Sequence, residues 1–268
     1  MDSIKHAIDL ARAAEGGAKC AAVDVPDPAR QGLSAAQFRE VKLSEAHLEQ
    51  TRIIAHAVGT RNGRYYDMLR TQVLQEMDKN SWQFLAVTSP TGACGKTVTA
   101  CNLAMSIARL PERSVLLVDM DMHKPMVANY LGLERGSGVV SVLEERRTLA
   151  SAMVQASIGP SQLLVLPGEA ASSTASEWMA SQPMGTLLQT IKRDFRSRIV
   201  VFDLPPILIG DDVIAILPRM DAVLLVAGVG TTSVSDIKAS QKHLERSNVI
   251  RVIVNKVTDS ADAYYAYY

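Results

Sequence analysis

The hydrophobic pattern changes character near residue 80. Before it, apolar positions recur at helical spacing. Ile4, Ile8 and Leu10 lie in a stretch (4–15) that predicts a short amphipathic helix. Residues 16–34 carry glycine, proline and small side chains and read as a flexible linker. Two further helices are predicted, over 34–58 and 64–78, separated by the glycines and asparagine of GTRNG. In the second, Tyr66, Leu69 and Val73 share a face, and Tyr65 and Tyr66 are expected to pack.

From Trp82 onward the period changes. Short apolar runs recur at 84–89 (FLAVTS), 114–121 (SVLLVDMD), 163–168 (LLVLPG), 198–206 (RIVVFDLPP), 221–228 (DAVLLVAG) and 249–256 (VIRVIVNK). Runs without polar alternation are what strands buried on both faces look like. Helical segments such as 96–110 and 233–247 lie between them. Strand–helix alternation of this kind predicts a doubly wound, mainly parallel α/β sheet, with ligands at the carboxyl ends of its strands. The predicted organisation is a helical region over 1–80, an α/β domain over 81–257 and an aromatic tail over 258–268.

Bulk composition narrows the function. Lys plus Arg number 28 and Asp plus Glu 28, so no global field favours nucleic acid or an anionic membrane. Cys20, Cys94 and Cys101 lack metal-site spacing and read as free thiols of a reducing compartment. No apolar run approaches the roughly 18 residues of a membrane span, and the N-terminus lacks a signal-peptide core. A cytoplasmic protein is expected, brought to a membrane only by a partner.

The sharpest chemistry lies at 89–97, SPTGACGKT, between the first strand run and a helix. A strand, a glycine-bearing loop and a helix form the setting of a phosphate-binding loop. Gly92 and Gly95 let backbone N–H groups turn toward phosphate oxygens, Lys96 supplies charge, and the Thr97 hydroxyl is placed for Mg²⁺. Pro90 occupies the position of the usual first glycine. Three acids end two later strands: Asp119 and Asp121 in VLLVDMD, and Asp203 in VVFD. A lone strand-end aspartate is as readily a helix cap. Three on one sheet edge after G-K-T point to ATP with Mg²⁺.

In that order, SPTGACGKT, VLLVDMDMHKP and VVFDLPP, the chain resembles the bacterial tyrosine kinases of capsule and exopolysaccharide synthesis, relatives of the MinD/ParA ATPases. The resemblance covers about 60–268. It implies a P-loop fold, ATP and Mg²⁺ as cofactors, and autophosphorylation of a terminal tyrosine cluster, here Tyr264, Tyr265, Tyr267 and Tyr268. It implies nucleotide binding by Thr91, Gly92, Ala93, Cys94, Gly95, Lys96, Thr97 and Val98, with Asn255 near the base. Lys96, Asp119 and Asp121 would be catalytic, Asp119 accepting the tyrosine proton. Thr97, Asp119 and Asp203 would serve the metal. It further implies self-association and a membrane activator of the chain-length-determinant (polysaccharide co-polymerase) type, without specific nucleic acid. The alternative is an ATP-switched regulator or scaffold of polysaccharide export that phosphorylates nothing, with a MinD/ParA-type partitioning ATPase ranked after it.

Several positions depart from the family patterns. Thr91 replaces the lysine that partitioning ATPases carry early in the loop. His123 stands where the kinases have arginine. The E-x-x-R-x-x-R pattern that builds a ring of subunits aligns with Arg64, Asp67 and Arg70 and is matched only at Arg70. Asp211 and Asp212 read as helix caps, with Asp212 a further candidate for metal or phosphate. Cys94 reads as a small residue the loop tolerates.

Overall fold

The computed structural model describes residues 38–57, 59–169, 175–196 and 198–257. The expected helix at 4–15, the linker, Cys20 and the tail tyrosines lie outside the described residues. Eight strands form one sheet in the order β1-β4-β5-β3-β6-β2-β7-β8. They are β1 (Arg39–Lys42), β2 (Phe84–Thr88), β3 (Ser114–Asp119), β4 (Val154–Ile158), β5 (Ser161–Leu166), β6 (Arg198–Asp203), β7 (Ala222–Gly228) and β8 (Val249–Asn255). From β5 through β3, β6, β2 and β7 to β8 every pairing is parallel. The β4–β5 pair is antiparallel and β1 runs parallel to β4, so these two edge strands oppose the rest. The doubly wound, mainly parallel sheet is thus the observed fold.

Strand side chains alternate between faces, and each face carries its own core. Leu85, Val87, Leu117 and Val201 join one cluster with Val73 and Met77 of α2 (Arg61–Lys79), Leu103 and Ile107 of α3 (Lys96–Ala108), and Leu131 of α4 (Val127–Leu131). Phe84, Ala86, Leu116 and Phe202 join the other, with Leu143 of α5 (Val139–Leu143), Met179 of α7 (Ala175–Ala180), Leu187 of α8 (Gln182–Asp194) and Ile216 of α9 (Asp212–Ile216). A short α6 (Leu149–Ala152) precedes β4, and α10 (Val234–Leu244) joins β7 to β8.

The predicted helix over 34–58 is not formed as one. Among its described residues, Arg39–Lys42 is β1 and only Glu45–Gln50 (α1) is helical. Pairing of Arg39 through Lys42 with Val154 through Ser157 overrides local propensity. α2 forms as expected, with Thr60 accepting at Gly63 N as its N-cap. Tyr66 packs against the core and burial raises its pKa, whereas Tyr65 is 50% exposed and does not pack as expected. One residue turns a helical position by about 100°, which separates these neighbours.

α2 is fastened to α3 by a half-buried carboxylate. Asp67 Oδ1 accepts from Ser106 Oγ (2.7 Å), Arg109 Nη1 (2.9 Å) and Arg70 Nη1 (3.2 Å). Arg70, the one residue that matches the ring-building pattern, also donates to Ser106 O at 3.0 Å. Arg64 is exposed. Among the described residues, no helix is long and apolar enough to cross a membrane.

Candidate nucleotide site

The loop between β2 and α3 has the backbone of a phosphate cradle. Gly95 opens α3 at φ 90°, ψ 23°. A Cβ there would be strained at this positive φ and would push aside the Asn255 side-chain amide, so glycine suits the position. Ala93 also has positive φ, 59°. The N-terminus of α3 carries no side-chain cap, which leaves its first N–H groups for a ligand. Thr88 Oγ1 donates to Pro205 O (2.7 Å) and Ser89 Oγ to Thr91 O (2.7 Å), fixing the entrance.

Neighbouring strands carry the acids to this loop. In the β3–β6 register Asp119 stands opposite Asp203, and in the β2–β6 register Asp203 stands opposite Val87. Thr97 Oγ1 donates to Asp203 Oδ2 at 2.7 Å. Lys96 Nζ donates to Asp121 Oδ2 at 2.7 Å and lies 3.5 Å from Asp203 Oδ1. Asp119 accepts from Asp121 N (3.1 Å) through Oδ1 and from Val127 N (2.9 Å) through Oδ2. Asp121 Oδ1 accepts from Lys124 N. The predicted Lys96, Thr97, Asp119, Asp121 and Asp203 therefore meet in one place.

Burial and the Lys96 cation pull Asp119 and Asp203 in opposite directions. Burial, and then Asp203, push Asp119 up to about 8, against the two backbone donors and Lys96. Burial likewise raises Asp203, with Lys96 and Thr97 offsetting only part. At Lys96 burial is the largest influence and disfavours the ammonium, yet Asp203 and Asp121 outweigh it and hold the pKa above the usual lysine value.

These residues suit Mg²⁺ with a nucleotide. Asp203 Oδ1 is buried with no hydrogen-bond partner among the described residues, Lys96 Nζ standing 3.5 Å away, and the Thr97 hydroxyl sits on the other oxygen of the same carboxylate. Oxygen donors of this kind are what Mg²⁺ takes, together with waters and phosphate. Beside them opens a cleft of about 460 Å³, lined by Gly92, Ala93 and Gly95 through Val98, by Asp121 and His123, and by Tyr130, Pro205 and Ile209. That volume accommodates a small organic ligand.

Other predicted residues take definite places. Asn255 Nδ2 donates to Cys94 O at 3.0 Å, so it fastens the loop from the end of β8. Cys94 is buried; its Sγ donates to Thr91 O and touches the Thr232 hydroxyl at 3.2 Å. Burial acts upward on this thiol, but Thr232, Thr91 and Thr231 outweigh it and the pKa is lowered. Thr91 Oγ1 donates to Thr231 O. Val98 and Ala93 line the cleft.

Two residues are not the simple caps expected. Asp211 occupies the N-cap position of α9 without a side-chain cap bond. Asp212 is buried and accepts from His123 Nε2 at 3.1 Å, while its Oδ1 has no partner among the described residues. The residue that departs from the family arginine thus still meets an acid at the cleft rim. Sequence reasoning missed this pairing because 89 residues separate its members.

Comparison with known proteins agrees with this geometry. The putative tyrosine-protein kinase EpsB of Ralstonia nicotianae is 28% identical over 200 residues, 74% of this chain and 26% of that protein. The chain thus spans about a quarter of that relative's length. The tyrosine-protein kinase YwqD of Bacillus subtilis is 29% identical over 209 residues, covering 77% of this chain and 86% of YwqD. Among solved structures, the VpsO kinase domain superposes with a TM-score of 0.66 at 25% identity, covering 78% of this chain and 98% of that one. The CobQ/CobB/MinD/ParA nucleotide binding domain matches residues 85–266, from the start of β2 past the end of β8. The chain belongs to that nucleotide-binding family.

Proposed function

We infer that the chain is an ATP-dependent protein-tyrosine autokinase acting in exopolysaccharide or capsule synthesis. The observation that carries this reading is the convergence of Lys96, Thr97, Asp119, Asp121 and Asp203 beside an open cleft. Similarity to proteins named tyrosine kinases over about three quarters of the chain supports it.

The chain's own groups divide the work of phosphoryl transfer, where positioning and charge neutralisation dominate. Loop N–H groups and Lys96 would hold the outer phosphates of ATP. Thr97 and Asp203 would hold Mg²⁺, with Asp119 beside them; the ion would neutralise the phosphate charge. Asp121, through its 2.7 Å contact, orients the Lys96 ammonium. Asp119 would accept the proton of a tyrosine hydroxyl as its oxygen bonds to the γ-phosphorus and the bond to the leaving ADP oxygen breaks. Asn255 would border the base. Tyr264, Tyr265, Tyr267 and Tyr268 are the proposed acceptors, offered by a neighbouring subunit. A membrane protein of the chain-length-determinant type would activate the chain at the cytoplasmic face.

Two positions favour the alternative, an ATP-switched scaffold: His123 stands where the kinases have arginine, and Arg64 and Asp67 depart from the ring-building pattern. The test is phosphotyrosine mapping by mass spectrometry after incubation with Mg·ATP, in wild type, Lys96→Ala and a chain ending at Ala263. Phosphate on the tail that disappears in Lys96→Ala is the expected result. ATP turnover without phosphotyrosine hands the function to the scaffold reading.

A further inference from the structure

Away from the nucleotide site, on the far side of α1, two acids and an imidazole converge. We propose that Glu45, Glu49 and His56 form a binding site for a divalent first-row transition cation, best matched by Zn²⁺. One ligand oxygen or nitrogen from each lies within 4.8 Å of the other two, and His56 Nε2 is 3.7 Å from Glu45 Oε1. A tetrahedral site with bonds of about 2.1 Å has ligand separations of about 3.4 Å. Small rotations of two exposed glutamates close that gap.

The imidazole is the independent observation. Its side chain is only 4% exposed, yet Nε2 is buried without a hydrogen-bond partner among the described residues. His56 Nδ1 lies 3.0 Å from Ile53 O. A carbonyl oxygen only accepts, so Nδ1 donates to it, and Nε2 is the nitrogen left facing the glutamates, a ligand atom once it carries no proton. A metal-ligating histidine is oriented in the same way, by a backbone carbonyl on its other nitrogen. A buried nitrogen left unpaired otherwise keeps its desolvation cost without return.

Local folding brings the three together. Glu45 and Glu49 lie four apart on α1 and share a face. The chain then reverses through a Schellman turn: Ile53 N donates to Leu48 O (2.7 Å), Arg52 N to Glu49 O (3.0 Å), and Arg52 sits at φ 65°. Asn102 of α3 holds the returning strand of chain by accepting from Ile54 N and Ala55 N and donating to Arg52 O. His47 Nε2 donates to Asn129 O and holds α1 itself. Both halves of the site are therefore anchored before any ion arrives.

The donor set selects the ion. Mg²⁺ and Ca²⁺ take oxygen alone, whereas imidazole with carboxylate suits Zn²⁺ and its transition-metal neighbours. Three protein ligands on an exposed rim leave a position for water. Bound there, the ion would clamp α1 to the chain at 53–56. The site precedes residue 85, where the nucleotide-binding family match begins, and does not depend on the kinase reading.

The test uses the full chain without an affinity tag, with Mg·ADP saturating the nucleotide site. Titration with Co²⁺ is expected to give visible d–d absorption saturating at one ion per chain, displaced by Zn²⁺, with a paramagnetically shifted imidazole N–H signal. His56→Gln is expected to lose it. Should that variant fold poorly, the exposed pair Glu45→Gln/Glu49→Gln serves instead, weakening binding by more than about a hundredfold. Absence of saturable binding in wild type, or binding unchanged in the double variant, overturns the proposal.

Discussion

The chain carries two acid clusters, one at the strand ends and one on α1, built from similar groups in opposite settings. Asp119, Asp121 and Asp203 are all buried, and Lys96 is the cation among them. Glu45 and Glu49 stand in water, and it is their histidine that is buried. In the first cluster desolvation makes ionisation expensive, so charge has to be matched or suppressed. In the second the acids face solvent, and it is the imidazole Nε2 that has no hydrogen-bond partner among the described residues. The first cluster therefore keeps its carboxylates out of water, where a nucleotide and its metal would meet them; the second is a solvated pair of acids beside a buried ring.

Removing the cation from the buried cluster should produce the largest effect. Breaking a buried ion pair costs about 3–5 kcal/mol, because the partner is left charged and desolvated. Lys96→Met is expected to approach that loss at pH 8 in nucleotide-free protein. At pH 5, where the raised Asp119 and Asp203 take up protons more readily, the loss should be smaller. Urea unfolding at the two pH values measures both. An equal loss at both would mean that the acids do not depend on Lys96.

The next effect concerns Asp119 itself. Its folded pKa of about 8 exceeds the unfolded value of an aspartate, so the folded chain binds the extra proton between roughly pH 4 and 8. Stability of the nucleotide-free protein should therefore fall as pH rises through that window, by at most about 1.4 kcal/mol per pH unit for this one group, and level off above it. Asp119→Asn should flatten the profile in chemical denaturation. Mg·ADP should flatten it in wild type, since a bound cation favours the carboxylate. A wild-type profile that rises through the same window would reverse the assignment.

How far these clusters were legible follows from their surroundings. β2, β3, β5, β6, β7 and β8 show as apolar runs, five of them because they are flanked by strands and covered by helices. β1 is REVK, an edge strand with largely exposed side chains, and β4 is VQASI with polar positions among its apolar ones. Neither carries a continuous apolar run, and pairing rather than local preference makes them strands. The nucleotide site was legible because G-K-T and strand-end acids are read within short windows, and a parallel sheet brings them to one edge. His123 with Asp212, and Asn255 with the Cys94 carbonyl, needed the fold to meet. Glu45, Glu49 and His56 are close in sequence, yet the expected continuous helix over 34–58 would have carried His56 away from the glutamates. The turn at Arg52 reverses that.

The smallest effect is the sharpest control on the comparison. If the α1 acids are solvated, Glu45→Gln/Glu49→Gln should leave metal-free stability within about 0.5 kcal/mol of wild type. A slight gain is also consistent, since like charges four apart on a helix repel by a few tenths of a kcal/mol. Thermal melts should then diverge when Zn²⁺ is added: wild type gains stability as RT ln(1 + [L]/Kd), and the double variant does not move. A large metal-free loss in the double variant would mean that these glutamates already hold the fold together. The contrast with the buried aspartates would then fail on the side where it predicts almost nothing.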